Sequence, residues 1–571
     1  MTDDFKFRQV ELGKSSDVVS FVLSPSTLEL DTSVSVRLVM FTALNSDDSV
    51  QGEDTTPNYL FERNNENNRG GPRRANGYSV SENLKMEPEF FFRTKNPGYW
   101  TLILLPLAIY FADQKFLEQS LPAVTIIGYN SLVLIFSHNL GQQRMREFLE
   151  YLKGLNLIMA LLSIGYGSFL HWHTNKNNVY EYALWAGLNF SFPYVFINVV
   201  LYYPFSFSFG EGVIVTSVFV YNYWASFHNI IQNKFAEINK KAVSDPMMIS
   251  IVQELGFLVT ILVARGILFY MKPHKVFALQ ECFTLCTKAA FVNFLGKLQN
   301  TYEDLVFILN WLVSYLILDT RHLASIALWV TFLAVTMGFV LSTMGQETTT
   351  VHRKFFHILM CFVYFPAVLN DLNFIFLCST VVMYAFVIAE AIRVLKFEFL
   401  GYRVGAFINS GVSNFRDARD SGPLLLTPIY LLAGCSAPIW LTGIYLGNSS
   451  SNNDNRTPEE LAAAITGILS VGVGDTVASV VGSIYGKLHW PGSRKTVEGT
   501  LSSIAAQIVT VGYLCWSGYL PYTTVSLVAL CISSIVNAVV EALTSQIDNL
   551  IVPLVAFNTV HLVIYLSDYI S

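Results

Sequence analysis

The chain has 571 residues, 52% of them hydrophobic and only 14% charged, where a soluble domain carries about 25% charged residues. That deficit excludes an ordinary soluble globular protein and points to the membrane. A net charge of −6 is too small to suggest a nucleic-acid partner.

Residues 1–95 form a polar tail. Its stretch NSDDSVQGEDTTPNYLFERNNENNRGGPRRANGY has no helical period and reads as disordered. The apolar patch VSVRLVMFTAL is too short to span a bilayer, and the first convincing span begins near Gly98, too late for a signal peptide. From there apolar runs of about 17–25 residues recur, which is spanning length. They fall near 98–113, 119–138, 149–170, 180–203, 211–231, 248–271, 276–296, 303–319, 322–344, 355–370, 373–392, 422–446, 461–484, 499–519, 522–544 and 549–568. The run at 276–296 carries Glu281 and Lys288 and also fits a surface helix, so the count is about 14–16. Continuous runs whose backbone must be satisfied internally are helices, not barrel strands. The expected fold is all-α: a polytopic membrane protein with a helical block at 98–345 and a second at 350–571.

The second block orients itself. The loop NSSSNNDNRTPEE holds two glycosylation sequons, at Asn448 and Asn455, which put it in the lumen if used. Counting spans outward places Arg353, Lys354, Arg393, Lys396, Arg403, Arg416, Arg419, Lys487, Arg494 and Lys495 on the cytosolic side and only Arg456 on the other. The positive-inside rule agrees. Segments 353–357, 390–396, 402–420, 486–498 and 541–549 therefore share one face.

The stretch VGVGDTVASVVGSIYGKLHWPGSRKTVEGT, residues 471–500, is the most informative. A carboxylate inside a span costs about 2.5–3.5 kcal/mol on insertion scales unless it is paired, hydrated or bound to a cation. Asp475 is such a residue. It shares a polar stripe with Ser479 and Ser483, while Gly482 and Gly486 admit a neighbouring backbone. A basic loop follows. Trp490-Pro491-Gly492 reads as a rigid turn, and Ser493, Arg494, Lys495 and Thr496 supply the donors of a phosphate site. Trp490 offers a face on which a base stacks. An acid beside such a loop suits Mg²⁺-polyphosphate, with structural pairing and simple cytosolic retention as the plain alternatives. GSIYGK misses the Walker A spacing, and GVGDTV breaks the dinucleotide fingerprint.

Other residues belong to the same face. His357 lies one turn after Arg353 and is either structural or an aid to proton transfer from an alcohol. Glu390 and Arg393 read as a mutual ion pair. In FRDARDSGP, Asp417 is either solvated or a second metal ligand. Glu541 and Asp548 close the set. The seven cysteines lie mostly in apolar segments, and Cys282 and Cys286, one turn apart, read as packing.

The 471–500 stretch, EALTSQIDNLIVPL, FRDARDSGPLLLTPIYLLAGCSAPIWL and RKFFH together resemble the dolichol kinases, over about residues 350–568. The resemblance implies a CTP-dependent kinase of the endoplasmic reticulum membrane with its active site facing the cytosol. Its partners are CTP and dolichol in membrane lipid, and its product, dolichyl phosphate, serves N-glycosylation, mannosylation and GPI-anchor synthesis. It puts the CTP-binding segment on 483–498: Ser483, Gly486, Lys487, His489, Trp490, Pro491, Gly492, Ser493, Arg494, Lys495, Thr496 and Glu498. It puts Asp475 on the family's essential aspartate; the residues themselves make Asp475 the ligand of Mg²⁺ or another divalent cation, with Asp417, Glu541 and His357 as further catalytic candidates. At 489 this chain has His where the family often has Arg or Lys. The rival readings are a CTP-dependent cytidylyltransferase of a lipid phosphate, which would attack the α-phosphate, and a transporter, which would show inverted repeats.

Overall fold

The structure is a computed structural model that describes residues 92–94, 96–112, 117–140, 203–231, 245–271, 301–343, 350–395, 422–443 and 456–570, with isolated residues at 158 and between 192 and 200. All of them lie within the unit Ser81–Ser571. The expected spans at 149–170 and 276–296, most of 180–203, the segment 402–420 with Asp417, and both sequons are outside the described residues.

Among the described residues every regular element is helical, so the protein is all-α and polytopic. The chain runs through a 3₁₀ turn (Tyr99–Ile103) into α1 (Leu104–Ala112), α2 (Leu117–Leu140), α3 (Phe209–Ile231), α4 (Asp245–Met271) and α5 (Thr301–Val313), which ends in a π turn (Ser314–Leu318). Next come α6 (Thr320–Thr343), α7 (Thr350–Asn370), α8 (Leu372–Leu395), α9 (Thr427–Gly443) and α10 (Pro458–Ala464). A π segment (Ile468–Gly474) leads into α11 (Asp475–Tyr485), followed by α12 (Val497–Trp516), α13 (Thr524–Leu543) and α14 (Asp548–Ile570). Six helical stretches among the described residues are long and apolar enough to cross a bilayer: Thr320–Phe339, Leu372–Val394, Ile468–Tyr485, Val497–Trp516, Thr524–Leu543 and Asp548–Tyr569. Four shorter apolar helices accompany them: Tyr99–Ala112, Met247–Val263, Leu305–Leu318 and Lys354–Asn370. The expected count of about 14–16 includes segments outside the described residues.

Local chemistry sets the helix ends. Thr457 and Glu460 close a capping box with Pro458 at the first helical position of α10, and Thr523 and Ser526 close another on α13. Thr496 caps α12 by accepting from Gly499 N. α6 presents Leu323, Leu328, Val330, Leu333, Val335 and Phe339 outward, as a helix against lipid does.

The run 461–484, expected as one helix, changes its winding along its length. α10 stops at Ala464, the π segment follows, and α11 begins at Asp475. Three glycines weaken the helix here, and Ser470 Oγ bonds back to Thr466 O at 2.8 Å and Gly467 O at 3.2 Å. The π segment lies at the middle of the bundle, touching α7, α9, α12, α13 and α14. Tight approach makes this possible. A Cβ at Gly434 of α9 would sit 1.9 Å from the Asn549 carbonyl oxygen of α14. Gly434→Ala is therefore expected to push α9 off α14 and lower stability by about 1–3 kcal/mol, the usual cost of overpacking. A thermal unfolding midpoint in detergent equal to wild type would refute this.

Candidate active site

Four helix ends converge on Asp475. Its N–H bonds to Ser470 O, the five-residue step that closes the π segment and sets the direction of α11. Its side chain is buried, with Oδ2 at 2.5 Å from Lys354 Nζ and 3.2 Å from His357 Nε2, both on the first two turns of α7. His357 Nε2 also lies 3.5 Å from Asn549 Oδ1, at the start of α14. The sequence placed Arg353, Lys354 and His357 on this face, but the direct Lys354–Asp475 contact was not legible in it.

Three carboxylates gather here. One oxygen from each of Asp475, Glu541 and Asp548 lies within 4.8 Å of the others. Glu541 comes from the last turn of α13 and Asp548 from the first residue of α14. Lys495 reaches into the group from the loop before α12. Its Nζ is 2.7 Å from Glu541 O, 3.5 Å from Glu541 Oε1 and 3.2 Å from Asp548 Oδ2. Glu541 is buried, and its Oε2 has no hydrogen-bond partner among the described residues. Hard oxygen donors this close, one of them unsatisfied, fit a divalent cation such as Mg²⁺. Asp417, the other acid considered, is outside the described residues.

Below the carboxylates α12 and α13 are joined by a buried amide pair. Gln507 Nε2 donates to Asn537 Oδ1 at 3.1 Å, Asn537 Nδ2 donates to Gln507 Oε1 at 2.9 Å, and Ser503 Oγ accepts from Gln507 at 3.2 Å. Ser533, Asn537 and Glu541 repeat every fourth residue. That spacing was a readable signal for a polar face on α13.

The basic loop folds back on itself. His489 and Thr496 form an antiparallel bridge, Trp490 N bonds to Lys495 O at 3.0 Å, and Val497 N bonds to Leu488 O at 2.8 Å. At the tip Ser493 N bonds to Trp490 O at 3.0 Å, and Gly492 has φ +71°. This is the rigid turn expected of Pro491-Gly492, with glycine at the position that requires positive φ. Glu498 accepts the N–H groups of Lys487 and Leu488, each at 3.1 Å, and so holds the two arms together. Trp490 is half-buried and pinned by Nε1 to Thr500 Oγ1 at 3.0 Å. Gly486 and Thr496 lie at the base, where Thr496 caps α12. Ser483, Lys487, His489 and Arg494 are exposed, and neither Lys487 nor Arg494 has an ion pair among the described residues. Lys495 alone of the loop cations turns toward the carboxylates.

Glu390 and Arg393 do pair, in fork geometry at 2.6 and 2.8 Å. Glu390 also accepts Leu425 N at 2.7 Å, and Arg393 donates to Pro423 O at 2.5 Å. The pair ties the segment before α9 to α8.

The arrangement combines a carboxylate cluster, two lysines and a cationic loop at one end of the helical bundle. A family profile described as Dolichol kinase matches residues 187–514, more than half of the chain. The chain belongs to the dolichol kinase family. It is similar to proteins named Dolichol kinase from Mus musculus, 35% identical over 257 residues, and Saccharomyces cerevisiae, 28% over 250. It is also 30% identical over 256 residues to Dolichol kinase EVAN from Arabidopsis thaliana. Each alignment covers 43% of this chain and 46%, 43% and 42% of those relatives, so the chain spans less than half the length of the family members it matches. No solved structure matches the chain. The family profile reaches Lys354, His357, Asp475 and the whole 483–498 loop; Glu541 and Asp548 lie beyond it.

Proposed function

We propose that the chain transfers the γ-phosphate of CTP to the terminal hydroxyl of dolichol, at the cytosolic face of the endoplasmic reticulum membrane. The observation that carries this reading is the meeting of the cationic loop with the buried Asp475–Glu541–Asp548 cluster, linked by Lys495. Family membership supports the lipid alcohol, and the resemblance of 483–498 to the family's nucleotide segment supports CTP. The charge asymmetry of the second helical block supports the cytosolic placement.

In this reading Lys487 and Arg494 bind phosphate oxygens, and Trp490 stacks on the base. Asp475, Glu541 and Asp548 would hold a Mg²⁺ ion, which would neutralise charge on the phosphates. Phosphoryl transfer depends mainly on positioning and charge neutralisation, and these residues supply both. The dolichol oxygen bonds to the γ-phosphorus while the bond from that phosphorus to the β–γ bridging oxygen breaks. CDP leaves, and His357, with Nε2 turned to Asp475, is the residue we assign to take the alcohol's proton. The isoprenoid chain remains in lipid against the outer helices.

The test uses membranes containing the full chain, dolichol, and CTP labelled at either the α- or the γ-phosphate. Lipid labelled only by γ-CTP, with CDP released, supports the kinase. Lipid labelled by α-CTP, with pyrophosphate released, would replace it with a cytidylyltransferase.

A further inference from the structure

The turn between α13 and α14 carries Asp548, yet its own residues 545–547 are not fastened to either helix alone. They are fastened to Asn96, near the beginning of the described chain, and to the start of α3. Asn96 Nδ2 donates to Ser545 Oγ at 3.0 Å, and Gln546 Nε2 donates to Asn96 O at 3.2 Å. Ser208 Oγ bonds to Gln546 Oε1. Ile547 N, the donor immediately before Asp548, gives its hydrogen bond to Glu211 Oε1 at 3.0 Å.

Glu211 is fully buried on the first turn of α3. It has two jobs, divided between its two oxygens. Oε2 accepts Ser208 N at 3.0 Å while Ser208 Oγ accepts Glu211 N at 3.3 Å, a capping box that any Ser-x-x-Glu helix start supports. Capping accounts for Oε2 alone. Oε1 receives both Ile547 N and Arg93, whose guanidinium lies 2.5 Å away and is itself buried. Phe92 and Arg93, which the sequence reading placed in the tail, are thus packed: Phe92 is 5% exposed and Arg93 N bonds to Phe207 O at 2.8 Å. A buried ion pair is a weak source of net stability, since desolvation offsets attraction. What this one supplies is a charged acceptor held rigidly under the N–H that precedes Asp548.

We infer that Glu211, backed by Arg93, is a positioning residue that fixes Asp548 in the carboxylate cluster and so sets the cluster's affinity for a divalent cation. This rests on the cation reading of that cluster in the proposed kinase. Glu211→Gln leaves one acceptor oxygen where two are used, so it serves either Ser208 N or Ile547 N but not both, and it removes the charge paired with Arg93. Gln546→Ala removes the bonds to Ser208 Oγ and Asn96 O but leaves Ser545 on Asn96 and Ile547 N on Glu211, so it separates the contribution of Glu211 from that of the rest of the turn.

The experiment is a Mn²⁺ titration followed by electron paramagnetic resonance on the purified full chain in detergent, with γ-labelled CTP transfer measured against Mg²⁺ on the same samples. Glu211→Gln is expected to weaken Mn²⁺ binding about tenfold and to raise the Mg²⁺ concentration for half-maximal rate by a similar factor. The rate at saturating Mg²⁺ should move less, and Glu211→Asp should recover part of the affinity. Should Glu211→Gln fail to fold, Glu211→Asp decides: it keeps the charge but shortens the reach to Ile547 N, so a smaller loss of affinity in the same direction is expected. Unchanged Mn²⁺ affinity in a folded variant would overturn the inference and leave the kinase intact. A wild-type chain that binds Mn²⁺ no better than Asp548→Asn would remove the cation site itself, and this inference with it.

Discussion

Asp475→Asn is expected to lower phosphoryl transfer by about 10²–10³-fold, the scale of losing one preorganised charge-stabilising group. The same change also leaves the buried Lys354 ammonium facing an uncharged amide at the position of its 2.5 Å partner. Breaking one side of a buried pair costs about 3–5 kcal/mol, so inactivity alone would not separate chemistry from folding. The double variant Lys354→Met with Asp475→Asn makes the separation. It removes both charges, and its thermal midpoint should return most of the way to wild type. Its activity should not return. Recovery of transfer in the double variant would reduce Asp475 to a structural partner of Lys354.

Lys495→Met carries the second large effect, and its two consequences run in opposite directions. Lys495 is the only loop cation placed against Glu541 and Asp548, at 3.5 and 3.2 Å, and its side chain is 29% exposed. Removing it leaves the cluster one unit more negative. Discounted for that exposure, a charge this near is worth about 1–2 kcal/mol, so the Mg²⁺ needed for half-maximal rate should fall about tenfold. The rate at saturating Mg²⁺ should fall by about 10–100-fold, because the link between the cluster and the phosphate loop is gone. Steady-state kinetics at varied Mg²⁺ and CTP reads both numbers. A Mg²⁺ requirement that rises instead would mean that Lys495 holds the cluster together rather than competing with the cation.

Much of this was legible in the sequence because spanning helices are long apolar runs and because a carboxylate among them is conspicuous. Asp475, the Pro491-Gly492 turn and the Glu390–Arg393 pair were readable from spacing of a few residues. The Asp475–Glu541–Asp548 grouping was readable only as a shared face, since its members come from three helices and their mutual distance depends on bundle packing. Glu498 illustrates a different limit. It was assigned to the nucleotide segment, and in the structure both of its oxygens accept backbone N–H groups of the same loop. The contacts of Glu211 to Ile547 and of Gln546 to Asn96 join residues more than 300 positions apart, and no local pattern announces them. The π winding at 468–474 was hidden because its residues are as apolar as an ordinary α-helical span.

That π winding governs how the chain tolerates change in length. A π segment accommodates a residue beyond the α-helical repeat, and each residue of an α-helix turns the chain by about 100°. Losing one residue between Ile468 and Gly474 would let the helix run straight and rotate Asp475, Ser479 and Ser483 together by that angle, away from α7 and α14. The angular phase of the carboxylate is therefore stored in the number of residues upstream of it, not in any one side chain. Apolar substitutions within 468–474 leave that phase intact, whereas single-residue insertions or deletions there reset it.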